Sequence, residues 1–194
     1  MTMLNRRTFA LSATALTLLE HRQVFAQEST PEASPVVQSP DEIFAALLAA
    51  PFSSPLLPAD TGEIVVSEWI DEGDSDLVDA VGGILYGVAG EGNESTVGAI
   101  IVYRDQSLAE SRVNLAAIDY EQSVKVMNVT VGGFSGMSIV DILNPDYSFA
   151  TSAVSVASSI VSGGAEGFPA DELEGRSLAH LVALLDHYRR AVGF

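Results

Sequence analysis

The spacing between strand-like stretches constrains this chain more than any other feature. Residues 64–70, 80–89, 97–103, 124–131, 137–143 and 153–161 are rich in β-branched and aromatic side chains and bounded by turn formers. A parallel crossover needs about a dozen residues or more, so the short links inside each group of three demand antiparallel pairing. Gly90-Glu91-Gly92-Asn93-Glu94 joins the second and third stretches as a hairpin. Gly132-Gly133 and Asn144-Pro145-Asp146 separate the later ones. The stretch 153–161 alternates as one strand, with Val154, Val156 and Ile160 inward and Ser155, Ala157 and Ser159 outward.

Three helices punctuate this pattern. Ser39-Pro40-Asp41-Glu42 combines a capping serine, a proline at the first helical position and a glutamate placed to reach back to the cap. Ile43, Phe44, Leu47 and Leu48 then form an apolar face, and Pro51 ends the helix. Ser107 to Glu110 reads as a second capping box, opening a helix to Tyr120 whose Ala109, Val113, Ala116 and Tyr120 recur at helical spacing. The last helix covers residues 171–192, with Leu178, Leu181, Val182, Leu185 and Val192 as its buried stripe. The expected fold is α+β: an antiparallel sheet of about six strands with two or three packing helices; the element order allows two halves of three strands and a helix each, without residue-level self-similarity. In element order it resembles the PsbP-like and Mog1-like families and the sensor domains of some bacterial receptor kinases.

The first 26 residues set the location. Asn5-Arg6-Arg7-Thr8-Phe9 is followed by an apolar run to Leu19, then a short polar stretch and Val24-Phe25-Ala26. The run from Phe9 to Leu19 is 11 residues, while a membrane-spanning helix needs about 20. The segment resembles a twin-arginine (Tat) export signal, with Arg6, Arg7 and Phe9 as its motif and cleavage after Ala26; a Sec signal is the rival reading. The resemblance implies passage through the Tat machinery and signal peptidase in the folded state, and a secreted or extracytoplasmic product. Residues 27–40 hold three prolines, three serines and two glutamates, with only Val36-Val37 to bury, and read as a disordered spacer. Residues 41–194 form a single domain.

Charge and composition remove several functions. After cleavage six basic residues face 25 acidic ones, a net charge of −19, and Lys125 is the one lysine. Such a surface repels nucleic acid and anionic lipid, which need clustered cations to displace counterions. The chain has no cysteine, which excludes disulfides, thiolate catalysis, cysteinyl metal sites and a lipid-bearing cysteine after the leader. Neither a nucleic-acid partner nor a stable membrane anchor is expected.

Residues with chemical potential are few. His180 and His187, seven apart on the last helix, lie about 10 Å apart along its axis, too far to share one metal; they read as boundary histidines with wet edges. The loop Asp71-Glu72-Gly73-Asp74-Ser75-Asp76-Leu77-Val78-Asp79 offers Asp71, Asp74 and Asp76 as a weak calcium site, although it lacks the glycine and distal glutamate of an EF-hand. A solvated turn is the alternative. Gly132-Gly133-Phe134-Ser135-Gly136 lacks the Gly-x-Ser-x-Gly spacing of a nucleophile elbow, and Glu91 and Glu94 disqualify Gly87 to Gly92 as a phosphate loop. Gly82, Gly83 and Gly87, with Gly132, Gly133 and Gly136, either curve the sheet or leave one end thinly covered, with room for a small apolar ligand.

No catalytic or cofactor-binding residue is assigned, and no cofactor is expected. The leading expectation is an exported, non-enzymatic domain that binds a small ligand or protein partner through the sheet face or the gap under the last helix. The alternatives are a cofactor- or metal-dependent exported enzyme, suggested by the Tat route, and a structural envelope-associated protein.

Overall fold

The computed structural model describes residues 38–57, 64–69, 79–89, 94–120, 125–141 and 148–193. The leader with Arg6, Arg7, Phe9 and Ala26, the spacer up to residue 37, and the Asn144-Pro145-Asp146 turn lie outside them. The elements run α1 (Pro40–Ala49), β1 (Val65–Trp69), β2 (Ala80–Ala89), β3 (Ser95–Tyr103), α2 (Gln106–Tyr120), β4 (Lys125–Val131), β5 (Phe134–Asp141), β6 (Phe149–Val156), β7 (Ser159–Glu166) and α3 (Leu173–Val192).

All seven strands join one antiparallel sheet in the order β1-β2-β3-β7-β6-β5-β4. Two meanders, β1-β2-β3 and β4-β5-β6-β7, therefore meet through their last strands. The α+β class and antiparallel pairing hold, but the strand count is seven rather than about six. The extra strand comes from residues 153–161, which are not one strand. β6 stops at Val156, Ala157 and Ser158 make a two-residue turn, and β7 returns from Ser159 in register with it, Val154 opposite Val161. Ala157 sits at φ +48°, the left-handed region that glycine or asparagine would normally signal. Because the chain reverses there, Ile160 faces the opposite side of the sheet from Val154 and Val156.

Each face of the sheet buries its own core. On one face Ile84, Tyr86, Ile100, Val102, Val154, Val156 and Val161 pack against α3 and α1. On the other, Ala99, Ile101, Tyr103, Met137, Ile139, Ala153 and Ile160 pack with Ala109 and Val113 of α2. α2 leaves β3 in the middle of the sheet and delivers the chain to β4 at the far edge, so it must cross this second face.

Local chemistry explains the helix starts. In α1 the amide of Glu42 donates to Ser39 Oγ at 3.3 Å and the Ser39 amide donates to Glu42 Oε2 at 2.7 Å, the expected reciprocal box. These bonds hold the Glu42 carboxyl below its ordinary pKa. Ile43 and Leu47 are buried, while Leu48 stays 48% exposed. The cap of α2 is Asp105 rather than Ser107. Its carboxylate accepts from the Ser107 hydroxyl at 2.7 Å and the Leu108 amide at 2.9 Å, which lowers its pKa. A charged acceptor one turn ahead outcompetes a hydroxyl for the orphan N–H groups.

Candidate functional site

α3 lies on the sheet with almost no intervening side chains at one point. A β-carbon on Gly163 would run into the backbone of Ser177 and Leu181, so glycine at 163 is what lets the helix settle directly on β7. Pairing between β3 and β7 lapses beside it: Thr96–Ala165 and Ala99–Ser162 are in register, but Val97 and Gly98 do not pair with Gly164 and Gly163. Hydroxyls fill the seam. Ser138 donates to Ser152 at 2.6 Å, Ser152 and Ser177 share a bond at 2.8 Å, and Ser177 donates to the Gly163 carbonyl at 2.9 Å. All three serines are buried, so the chain of bonds fixes the helix rather than presenting a nucleophile. At this point the expected gap under the last helix is filled.

Both histidines of α3 belong to this interior, which corrects the expectation of wet edges. Each is only 2% exposed. The reason is their place on the helix, in line with Leu173, Ser177, Leu181, Leu184 and Tyr188 rather than at the rim. Among the described residues no hydrogen-bond partner meets the geometric limits at either ring nitrogen of His180, and burial pushes its pKa down to about 4, opposed by the Gly164 backbone. His187 Nε2 lies 3.3 Å from the Tyr86 hydroxyl, with the Phe52 ring 5.0 Å from the imidazole. Burial lowers its pKa, Asp186 raises it and Arg190 lowers it, while burial raises that of Tyr86. Next to it Ser54 donates to Asp186 at 2.8 Å, and Arg190 pairs with Asp186 at 3.1 Å, tying the segment after α1 to the helix. The pair does not converge on a common point.

The glycines seen in the sequence mostly serve close packing. The Phe44 ring sits on Gly82, and Leu185 and Arg189 lie over Gly132. Two are looser: an added β-carbon on Gly133 would meet nothing within 4 Å, and one on Gly87 would meet Val97 Cγ2 at 3.8 Å, an ordinary contact. Gly87 pairs with Val65 of β1, and there two of the exposed large hydrophobics among the described residues are adjacent. Val65 is 67% exposed and Val66 46%, and Ser67 and Glu68 are exposed as well. Adjacent strand residues point to opposite faces, so β1 is uncovered on both from Val65 to Glu68, while Trp69 is half-buried against the core of the second face. It is also the end strand, with one main-chain edge unpaired among the described residues. The sequence reading found the strand but not its edge position; two adjacent valines beside Ser67 and Glu68, instead of strict alternation, were the available signal.

Asp71, Asp74 and Asp76, the weak calcium candidates, lie outside the described residues. Among the described residues no group of three or more His, Asp or Glu side chains is placed to hold a metal ion, and no helix is long and apolar enough to cross a membrane.

The fold and site define an α+β domain with a seven-stranded antiparallel sheet, helices on both faces and an open apolar edge. No protein-family model matches the sequence, and no curated protein matches it. Among solved structures, the extracellular domain of PknH from Mycobacterium tuberculosis aligns with 77% of this chain and 90% of its own at 12% identity and a TM-score of 0.39, a likeness too loose to bear on function.

Proposed function

We propose that this protein is an exported binding domain, not an enzyme, and that it recognises a protein partner through the β1 end of its sheet. The observation that carries the reading is the exposure of Val65 and Val66 on opposite faces of an end strand. Apolar side chains on an unpaired edge are an invitation to association that proteins normally suppress, and contiguous exposed apolar surface marks interaction sites. The middle of the sheet supports the reading by being closed at the seam under α3, which is filled by serines and by Leu181 packed over Gly163. The Tat-like leader and the spacer to residue 40 fit release of a folded domain outside the cytoplasmic membrane.

Native mass spectrometry of the protein recovered from its own host, beside a Val65→Asp/Val66→Asp double variant, tests this. A partner mass carried by the wild type and lost from the variant is the expected result. A stoichiometric metal or cofactor retained equally by both would replace the reading with that of an exported enzyme.

A further inference from the structure

The two ends of the sheet differ in charge as well as in cover. From Asp41 to Tyr103 the sequence contains 12 acidic residues and no lysine, arginine or histidine; Asp41, Glu42, Glu68, Asp79 and Glu94 are those among the described residues. That stretch supplies α1, β1, β2 and β3, and the three strands are contiguous at one end of the sheet. All six cations of residues 41–194, namely Arg104, Arg112, Lys125, Arg176, Arg189 and Arg190, come later, interspersed with 11 acids. The far edge begins with exposed Lys125 on β4, whereas β1 carries exposed Glu68, with exposed Asp79 leading into β2. A region of one sign creates a field that gathers opposite charge and speeds its encounter.

Resting on the reading of β1 as the recognition surface, we propose that its edge takes an extended, lysine- or arginine-bearing segment of a partner protein as an added antiparallel or parallel strand. Strand addition uses the free main-chain edge for affinity and alternate side chains for specificity. An added strand lies about 4.8 Å from β1. On one face its side chains meet Val65, Ser67 and Trp69; on the other they meet Val66 and Glu68. Apolar side chains cover the valines and a cation offsets the Glu68 carboxylate. A second copy of this chain is the wrong occupant, because β1 carries Glu68 and no cation to set against it, and like charges across an interface are costly.

The test uses the full chain and four labelled peptides of about nine residues, long enough to match a strand. One alternates lysine and valine, one glutamate and valine, one serine and valine, and one has the lysine–valine composition with two central prolines, which cannot continue a ladder. Anisotropy gives Kd at low and high salt, and amide hydrogen exchange follows residues 65–69. The lysine–valine peptide is expected to bind, to slow exchange in β1, and to weaken by about tenfold or more on moving from low to high salt. Val65→Asp/Val66→Asp should abolish the protection while exchange in β6 and β7 stays slow, which shows that the fold survives. Equal binding by the proline peptide overturns strand addition. Equal protection by the serine–valine peptide overturns the cationic partner and leaves the β1 reading standing. Protection of β1 by none of the four overturns the proposal and the recognition reading together.

Discussion

The middle of the sheet and its β1 end are made from the same antiparallel ladder, yet one is sealed and the other bare. Over β7 and β6, α3 comes down to backbone contact at Gly163 and closes the seam with hydroxyls. Towards β1, α1 reaches Gly82 of β2 through Phe44, and of β1 itself only Trp69 is half-buried among the described residues. The contrast separates stability from recognition. Substitutions in the middle should change folding and leave the edge alone; substitutions at the edge should do the reverse.

The sharpest way to break that contrast is a pair of glycine changes. Gly163→Val forces a side chain into the Leu181 backbone and should cost more than about 3 kcal/mol in denaturant unfolding, whereas Gly87→Ala, which meets only a Val97 methyl, should stay within about 0.5 kcal/mol. Comparable losses at both sites would show that β1 is covered after all.

His180 sharpens the same point through pH. Its native pKa is depressed to about 4 from 6.5, so in that window the unfolded chain binds a proton that the native state refuses. Stability is unaffected above about pH 6.5 and falls as the pH drops towards 4, by up to about 3 kcal/mol. His180→Leu should remove this slope, read as the difference between wild-type and variant unfolding free energies from pH 7 to 4. Parallel curves would mean that the ring is wet.

Tyr86→Phe leaves His187 without its hydroxyl partner and should destabilise by about 1 kcal/mol. The smallest expected effect is at the edge: Val65→Thr should change unfolding by less than about 0.5 kcal/mol while weakening any partner held at β1. Thermal unfolding measures both.

Much of the fold was legible locally. The Ser39–Glu42 box, the bounds of β2, and the Gly132-Gly133 turn between β4 and β5 follow from side chains within a few residues of one another. Where the reading missed, the deciding group was either stronger than its neighbour, as with Asp105 over Ser107, or carried no local mark, as with Ala157. A left-handed alanine has no intrinsic preference for that geometry; it is held there by the pairing of β6 with β7, so an alternating pattern across 153–161 concealed a reversal. The candidate site was hidden for the same reason. A strand's sequence records which way its side chains alternate, and says little about whether anything lies beside it.

By itself, then, the sequence determined the antiparallel α+β class, the excess of acid over base and the absence of thiol chemistry, because these depend on composition and short-range geometry. Tertiary structure alone decided that β3 pairs with β7, that β1 is left at an edge, and that His180 and His187 are buried. Each of those is set by contacts between residues dozens of positions apart, whose order in space a linear pattern does not encode.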